Sequence, residues 1–162
     1  MEAKIRNMAT IYIRRGDEML MLYRIGSKVV DECYCGVGGH FKEKEMKDAK
    51  AAVLREMKEE IRLTEKDLDN LSLRYIGLRN VGNELRINYY FFADLKDTAK
   101  LTMKCNEGIL QWIPFDKLME KEMPVTAKYC IEHYLSEGMN NDEVYVITVN
   151  GDNTSVIELS ET

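Results

Sequence analysis

Gly38-Gly39-His40-Phe41-Lys42-Glu43-Lys44-Glu45, followed by Arg55-Glu56-Met57-Lys58-Glu59-Glu60, decides the reading of this chain. A glycine pair runs into a segment of helical spacing that carries Glu56, Glu59 and Glu60 on neighbouring rows. Carboxylates this close repel one another and cost stability unless a cation neutralises them. Successive helical residues turn by roughly 100°. Val53, Leu54, Met57 and Ile61 then share a core-facing sector, with Glu56 and Glu60 side by side at its edge. Glu59 falls further round, near Arg55, while Lys58 and Arg62 face solvent. Two carboxylates at the border of a core, within reach of a glycine loop, describe a Mg²⁺ or Mn²⁺ site. Such a site uses oxygen ligands, retained waters and room for substrate phosphates. The plainer reading is a solvated face of Glu–Lys and Glu–Arg pairs. The Gly-Gly turn at the end of a strand-like segment weighs against it.

Outward from this stretch, Ala9 to Arg15 and Met19 to Arg24 read as a hairpin turning at Gly16-Asp17. Gly26 to Lys47 reads as one long loop, holding Gly26, Gly36, Gly38 and Gly39. Asp48 is a candidate N-cap for a helix over Ala49 to Ile61, and Thr64-Glu65-Lys66-Asp67 starts a second, short one. Leu71 to Arg79 and Leu85 to Leu95 form a strand pair around Val81-Gly82-Asn83-Glu84. Ile109 to Ile113 is a short strand ending at Pro114, and Val125 to Leu135 is an amphipathic helix after Pro124. Glu143 to Val149 and Ser155 to Leu159 flank Asn150-Gly151, a strong hairpin signal. The pattern predicts a single α+β domain over residues 1–162, with helices packed on a mostly antiparallel or mixed sheet.

Composition narrows the function. The formal net charge is −5, which excludes sequence-independent binding to nucleic-acid backbones through a basic surface. It is compatible with a phosphate-bearing small molecule whose contact is mediated by metal ions. No window is long and apolar enough to span a bilayer, and the first residues do not lead into a signal sequence, so a cytoplasmic location is expected. Cys33, Cys35, Cys105 and Cys130 make neither a disulfide framework nor a zinc pattern. With His40 and His133 the only histidines, a nitrogen-rich metal site is not expected.

The two quoted segments resemble the signature of the Nudix hydrolases: Gly, five residues, Glu, seven residues, then Arg-Glu-(apolar)-x-Glu-Glu-x-Gly-(apolar). Gly39, five residues and Glu45 match the first half, and Arg55 to Leu63 match the second. Two departures stand out. Nine residues rather than seven separate Glu45 from Arg55, so that alignment backwards from Arg55 selects Lys47 instead of Glu45. Arg62 stands where the family has glycine, which eases the chain out of the helix through a left-handed conformation.

The resemblance implies an α/β/α sandwich with a mixed central sheet. It also implies hydrolysis of a nucleoside diphosphate linked to a further group, with Mg²⁺ or Mn²⁺ as cofactor. Carried over residue by residue, Glu56, Glu59, Glu60 and the Gly38 carbonyl are the implied metal ligands, and Arg55 orients carboxylates with Glu45 as partner. The general base is open between Glu59 and Glu107, the latter in a loop ahead of Leu110-Gln111-Trp112. Arg86, Asn88 and Tyr90 alternate on one strand face and, with Arg24, are candidates for substrate contacts. A strand packed on both sides is the plainer account of that alternation, and Trp112 fits either a base-stacking or a core role. The order of elements resembles the MutT-like members, which act on nucleoside triphosphates such as 8-oxo-dGTP. The alternatives are a hydrolase of a nucleoside diphosphate sugar such as ADP-ribose and a non-catalytic nucleotide sensor. The expected partner is a small-molecule nucleotide, with no nucleic acid and no membrane. The hairpin over Glu143 to Leu159 is a possible homodimer edge.

Overall fold

Ten strands among the described residues form one mixed sheet, the longer of them built from runs of alternating apolar residues. In the computed structural model, which describes residues 2–25 and 32–159, these are β1 (Lys4–Arg15), β2 (Glu18–Arg24), β3 (Cys33–Cys35), β4 (Val37–His40), β5 (Leu68–Val81), β6 (Glu84–Leu95), β7 (Lys104–Cys105), β8 (Gly108–Pro114), β9 (Val144–Asn150) and β10 (Asn153–Leu159). The spatial order is β10-β9-β5-β6-β1-β2-β8-β7, with β3 paired to β2 and β4 to β1. The β1–β6 and β5–β9 pairs are parallel and the others antiparallel.

The strand period of two sorts side chains into two cores. Ile11, Ile13, Leu20, Leu22 and Phe91 face α1 (Ala49–Ile61), whose buried stripe is Ala52, Val53, Met57 and Ile61. Tyr12, Met19, Met21, Tyr90 and Phe92 face the other way, toward α3 (Val125–Ser136) with its Ile131 and Tyr134. Phe91 and Phe92, adjacent in sequence, therefore serve opposite cores, and β6 is a central strand buried on both sides. A short helix, α2 (Phe115–Leu118), follows β8. Among the described residues no helix is long and apolar enough to cross a membrane.

The segment read from sequence as one loop, Gly26 to Lys47, is different where it is described; residues 26–31 lie outside the described residues. β1 and β2 pair only from Ile13↔Leu20 to Arg15↔Glu18 and then part. β4 pairs with Met8 to Ile11 of β1, and β3 with Leu22 to Arg24 of β2, filling the gap. A 3₁₀ turn over Glu43–Glu45 leads to α1. These strands are too short and too glycine-rich to show a period of their own. Their pairing partners, distant in sequence, create them. β1 likewise begins at Lys4 rather than at Ala9, because its parallel partner β6 extends that far.

The glycine pair has a steric reason. A Cβ on Gly38 would lie 2.0 Å from the Ala9 carbonyl oxygen, so the backbone of β4 can approach β1 there only without a side chain. At the far end of the site helix, Arg62 takes the left-handed conformation (φ 61°, ψ 22°), and its N–H donates to Lys58 O at 3.1 Å. The helix thus leaves by the exit that glycine would favour, at a conformational cost of roughly 1–2 kcal/mol. Arg62→Gly should therefore raise stability by about 1 kcal/mol, read as a higher urea midpoint with an unchanged slope. A lower midpoint would count against this account of the helix end.

Candidate active site

The site helix starts at Asp48, whose side chain accepts the Ala51 N–H at 2.9 Å. This cap fixes the phase of the helix, and the buried stripe then sets which way Arg55, Glu56 and Glu60 point. Arg55 joins the helix to the preceding turn. Its Nε donates to Glu45 Oε1, and its Nη2 donates to Glu45 Oε2 at 3.1 Å and to the His40 carbonyl at 3.1 Å. Its Nη1 donates to Glu56 at 2.8 Å and to Glu59 at 3.1 Å. Glu45, only 6% exposed, also accepts the Lys42 N–H at 3.0 Å. The Arg55 hydrogen bonds hold its carboxyl below the usual range, with the Lys42 N–H adding to them against the opposing effect of burial. The extra residues before the helix are absorbed in the turn that buries Glu45, and Lys47 remains exposed.

Beside this hub lies a cleft of about 460 Å³. It brings together Gly38, Arg24, Arg55, Glu56, Glu60, Asn88 and Glu107 from the sequence candidates. Gly39 admits Glu56: a Cβ there would lie 2.7 Å from the Glu56 carboxylate. Glu60 is the most perturbed acid of the site. Its carboxyl is pushed up to about 7, by burial above all and by Glu56 and Glu107, against the lowering effect of Arg24 and a Gly38 backbone hydrogen bond. Glu60 Oε2 is buried without a hydrogen-bond partner, and so is Arg24 Nε across the same cleft. Glu107, an exposed residue of the turn between β7 and β8, closes one side.

Other candidates lie elsewhere. Glu59, with its side chain 53% exposed, lies outside the cleft, paired to Arg55 and to Lys42 Nζ at 3.5 Å. Tyr90 is 2% exposed in the α3-side core and stacked on Tyr12, so the substrate-contact reading gives way to a packing one. Arg86 donates to Glu84 at 2.6 Å, beyond the cleft, because it is one strand repeat further toward the β5–β6 turn than Asn88. Trp112 packs at the α1-side core under Arg15, whose Cζ is 4.1 Å from the ring. Sequence reasoning missed Thr10, Lys42, Cys33 and Cys35 as cleft residues. Alternation along β1 carried a signal for Thr10, which faces the same way as Tyr12; its Oγ1 donates to Asn88 Oδ1 at 3.1 Å.

Among the described residues no three histidine, cysteine or acidic side chains converge to hold a metal ion on their own. Mg²⁺ does not require such a cage, because it keeps several waters and binds through one or two carboxylates plus substrate phosphates. The donor set fits this pattern. A buried carboxylate oxygen without a partner lies on the same helix edge as Glu56, and these two carboxylates with the Gly38 carbonyl form an oxygen donor set, although Cys33, Cys35 and His40 also line the cleft.

The comparisons agree with this architecture. The NUDIX domain family matches residues 4–134, and the chain belongs to that family, whose domains hydrolyse pyrophosphate bonds in general. Among solved structures, a MutT mutator protein from Bacillus halodurans superposes with a TM-score of 0.68 at 17% identity, over 93% of this chain and 97% of the other. A MutT protein from Methanosarcina mazei Go1 gives 0.64 at 19% identity, over 85% and 98%. The NUDIX domain of Shewanella oneidensis NrtR, solved with ADP ribose, gives 0.62 at 12% identity, over 84% and 88%. Among curated proteins none matches this sequence.

Breaking the Arg55–Glu45 pair has a defined pH signature. Glu45→Gln should cost about 1.5–3 kcal/mol near pH 7, the worth of a charge-assisted hydrogen bond. The native carboxyl is held low, so its contribution is present above the unfolded pKa and is lost as pH falls through the native value. The gap between variant and wild type should therefore close below about pH 4 in denaturant melts. A gap that persists in acid would show that shape, not charge, makes the contribution.

Proposed function

We propose that this protein is a divalent-metal-dependent hydrolase of a nucleoside triphosphate, releasing nucleoside monophosphate and pyrophosphate, with an oxidised purine nucleotide as the favoured substrate. The observation that carries the hydrolytic reading is the unpartnered, buried Glu60 Oε2 beside Glu56 and opposite Arg24 Nε. A buried acid with no partner is costly, and here a cation and an anionic oxygen would satisfy both orphans together. The triphosphate is favoured by the MutT-like order of elements along the chain; the two MutT proteins share the fold.

Glu56, Glu60 and the Gly38 carbonyl would hold Mg²⁺ or Mn²⁺. When bound, the ion supplies neutralisation of pyrophosphate charge and a more acidic water. The chain's own residues supply the rest. Arg55 holds Glu56 in place through Nη1, and Glu45 fixes Arg55 in turn. Arg24 offers its Nε–H to a phosphate oxygen, and Lys42 adds a positive charge at the cleft rim. Glu107, exposed to solvent and lining the cleft, takes the proton of the attacking water. Glu59, turned outward against Lys42 and Arg55, supports that hub instead. Asn88, fixed by Thr10, faces the space available to the nucleoside.

Replacing Glu60 with Gln should lower turnover at least about 100-fold, more than is lost when only a residue supporting a ligand is changed. The measurement is product release across a panel of nucleoside triphosphates and ADP-ribose at increasing Mg²⁺. Wild-type turnover in the variant would remove the mechanism. Sugar phosphate instead of pyrophosphate as coproduct would move the substrate to the nucleoside diphosphate sugars. Glu107→Gln should cost about 10²–10⁴-fold in kcat, the range for a general base, with the Mg²⁺ dependence unchanged. Glu59→Gln should leave kcat within a few-fold. The reverse ranking would assign the base to Glu59.

A further inference from the structure

A second pocket, of about 280 Å³, opens on the α3 side of the sheet and shares no lining residue with the cleft. Along β1 it begins at Arg14, four residues beyond the cleft residue Thr10, or about 13 Å at strand rise. Two bulges in β5, between Asp69 and Ser72 and between Leu73 and Tyr75, shape it. Bulges re-aim side chains. The second one turns Arg74 onto the same face as its neighbour Tyr75, against the segment that follows α3. The first carries Asn70 in a left-handed conformation (φ 56°).

Arg74 is 5% exposed and makes no salt bridge among the described residues. Its Nε donates to Glu143 O at 2.8 Å, and its Nη2 donates to Gly138 O at 2.6 Å and Asn141 Oδ1 at 3.0 Å. These bonds leave Nη1 aside, and they set only neutral oxygens against a full charge. Buried charges ordinarily have ionic partners. The acid nearest at hand is already committed: Asp94 accepts from Arg14 Nε at 2.8 Å and from Asn70 Nδ2 at 2.9 Å. Asp142, the other acid of the lining, is exposed and forms no ion pair among the described residues. Arg14 Nη1 donates to Tyr134 OH at 2.6 Å. The two guanidinium carbons lie 5.9 and 6.0 Å from the Tyr134 ring centre. Both guanidinium groups therefore lie at one aromatic ring, and Ser72 lines the same pocket.

We propose that this pocket is a second ligand site, for a small oxyanion such as a phosphate or carboxylate group, held between Arg74 and Arg14. The anion supplies the charge that Arg74 lacks and accepts from the guanidinium hydrogens that protein oxygens do not take. The site stands apart from the hydrolytic cleft and does not depend on what the cleft cleaves.

The test is a titration of the full chain with inorganic phosphate, then acetate, at constant ionic strength and without divalent metal, followed by amide NMR. Saturable shifts at Ser72, Arg74, Tyr134 and Asn141 are expected, unchanged in Glu60→Gln. Arg14→Met should weaken the response at least about tenfold, the factor that one charge-assisted hydrogen bond represents. Ser72→Asp, at an exposed rim position, places a carboxylate in the pocket and should abolish the response while raising the melting temperature. It also keeps the test decisive if the Arg14 variant fails to fold. Shifts confined to Gly38 and Gly39, non-saturating shifts, or undiminished binding by Ser72→Asp would each overturn the site. Phosphate without acetate, or the reverse, would identify which oxyanion it takes.

Discussion

The ion-pair hub at Arg55 is the constraint on which the site depends. One guanidinium reaches back to Glu45 and the His40 carbonyl, and sideways to Glu56 and Glu59. It therefore ties the turn after β4 to the middle of α1. A guanidinium suits this task because its planar fork donates along several fixed directions and stays charged when partly buried. A lysine there would offer one point charge and could not serve the turn and Glu56 at once. With Arg55 holding one oxygen of Glu56 and the missing Cβ of Gly39 making room for its carboxylate, the position of Glu56 is set before any ligand arrives. Pre-organisation of this kind lowers the cost of ordering the site during a reaction.

The sheet supplies the second half of that arrangement. Because β1 and β2 separate after only a short paired stretch, their backbones present free edges that β3 and β4 fill. This brings Gly38 and Gly39 within reach of the edge of α1, and Arg24, at the end of β2, to the opposite wall of the cleft. The α3-side core, rich in aromatic rings, packs beneath it. Tyr12, Tyr90 and Phe92 stack beneath the cleft floor, at 6.1 and 5.3 Å between ring centres for the pairs involving Tyr12. A rigid support under a polar site lets the site itself remain unsatisfied without collapsing.

Much of this was legible in the chain, and the failures share a cause. Helix α1 was readable because its apolar stripe, cap and acidic edge are local and agree with one another. The C-terminal hairpin was readable because Asn150-Gly151 is a local turn signal. The partner of Arg55 was also readable, since Glu45 is buried in the turn while Lys47 is exposed. β3 and β4 were not readable, because residues at the other end of a hairpin make them strands. Tyr90 was misplaced for a related reason. Strand alternation says which residues share a face but not where along that face a cleft ends and a core begins. Asn88 and Tyr90 lie on one face of β6, yet Asn88 lines the cleft and Tyr90 is sealed beneath it. The outward position of Glu59 follows from helix phase alone. The family signature, which places that residue among the ligands, pulled the reading the other way.

An acid and a base in the cleft are each left with a buried atom unpaired: Glu60 Oε2 and Arg24 Nε. A fold selected only for stability would let them meet, since a direct pair would relieve both. No salt bridge joins them among the described residues; Glu60 is held by the helix and the Gly38 backbone, and Arg24 stands on β2, where it pairs with Cys33. The separation preserves a gap that suits an anionic oxygen on one side and a cation on the other. Stability is thereby forgone at the place where a ligand would restore it, which is how a binding site differs from a core. Burial, with Glu56 and Glu107 adding to it, is also what pushes the Glu60 carboxyl up to about 7. If Glu60 holds the ion as proposed, the ion would compete with that proton, and its affinity would rise with pH through that range.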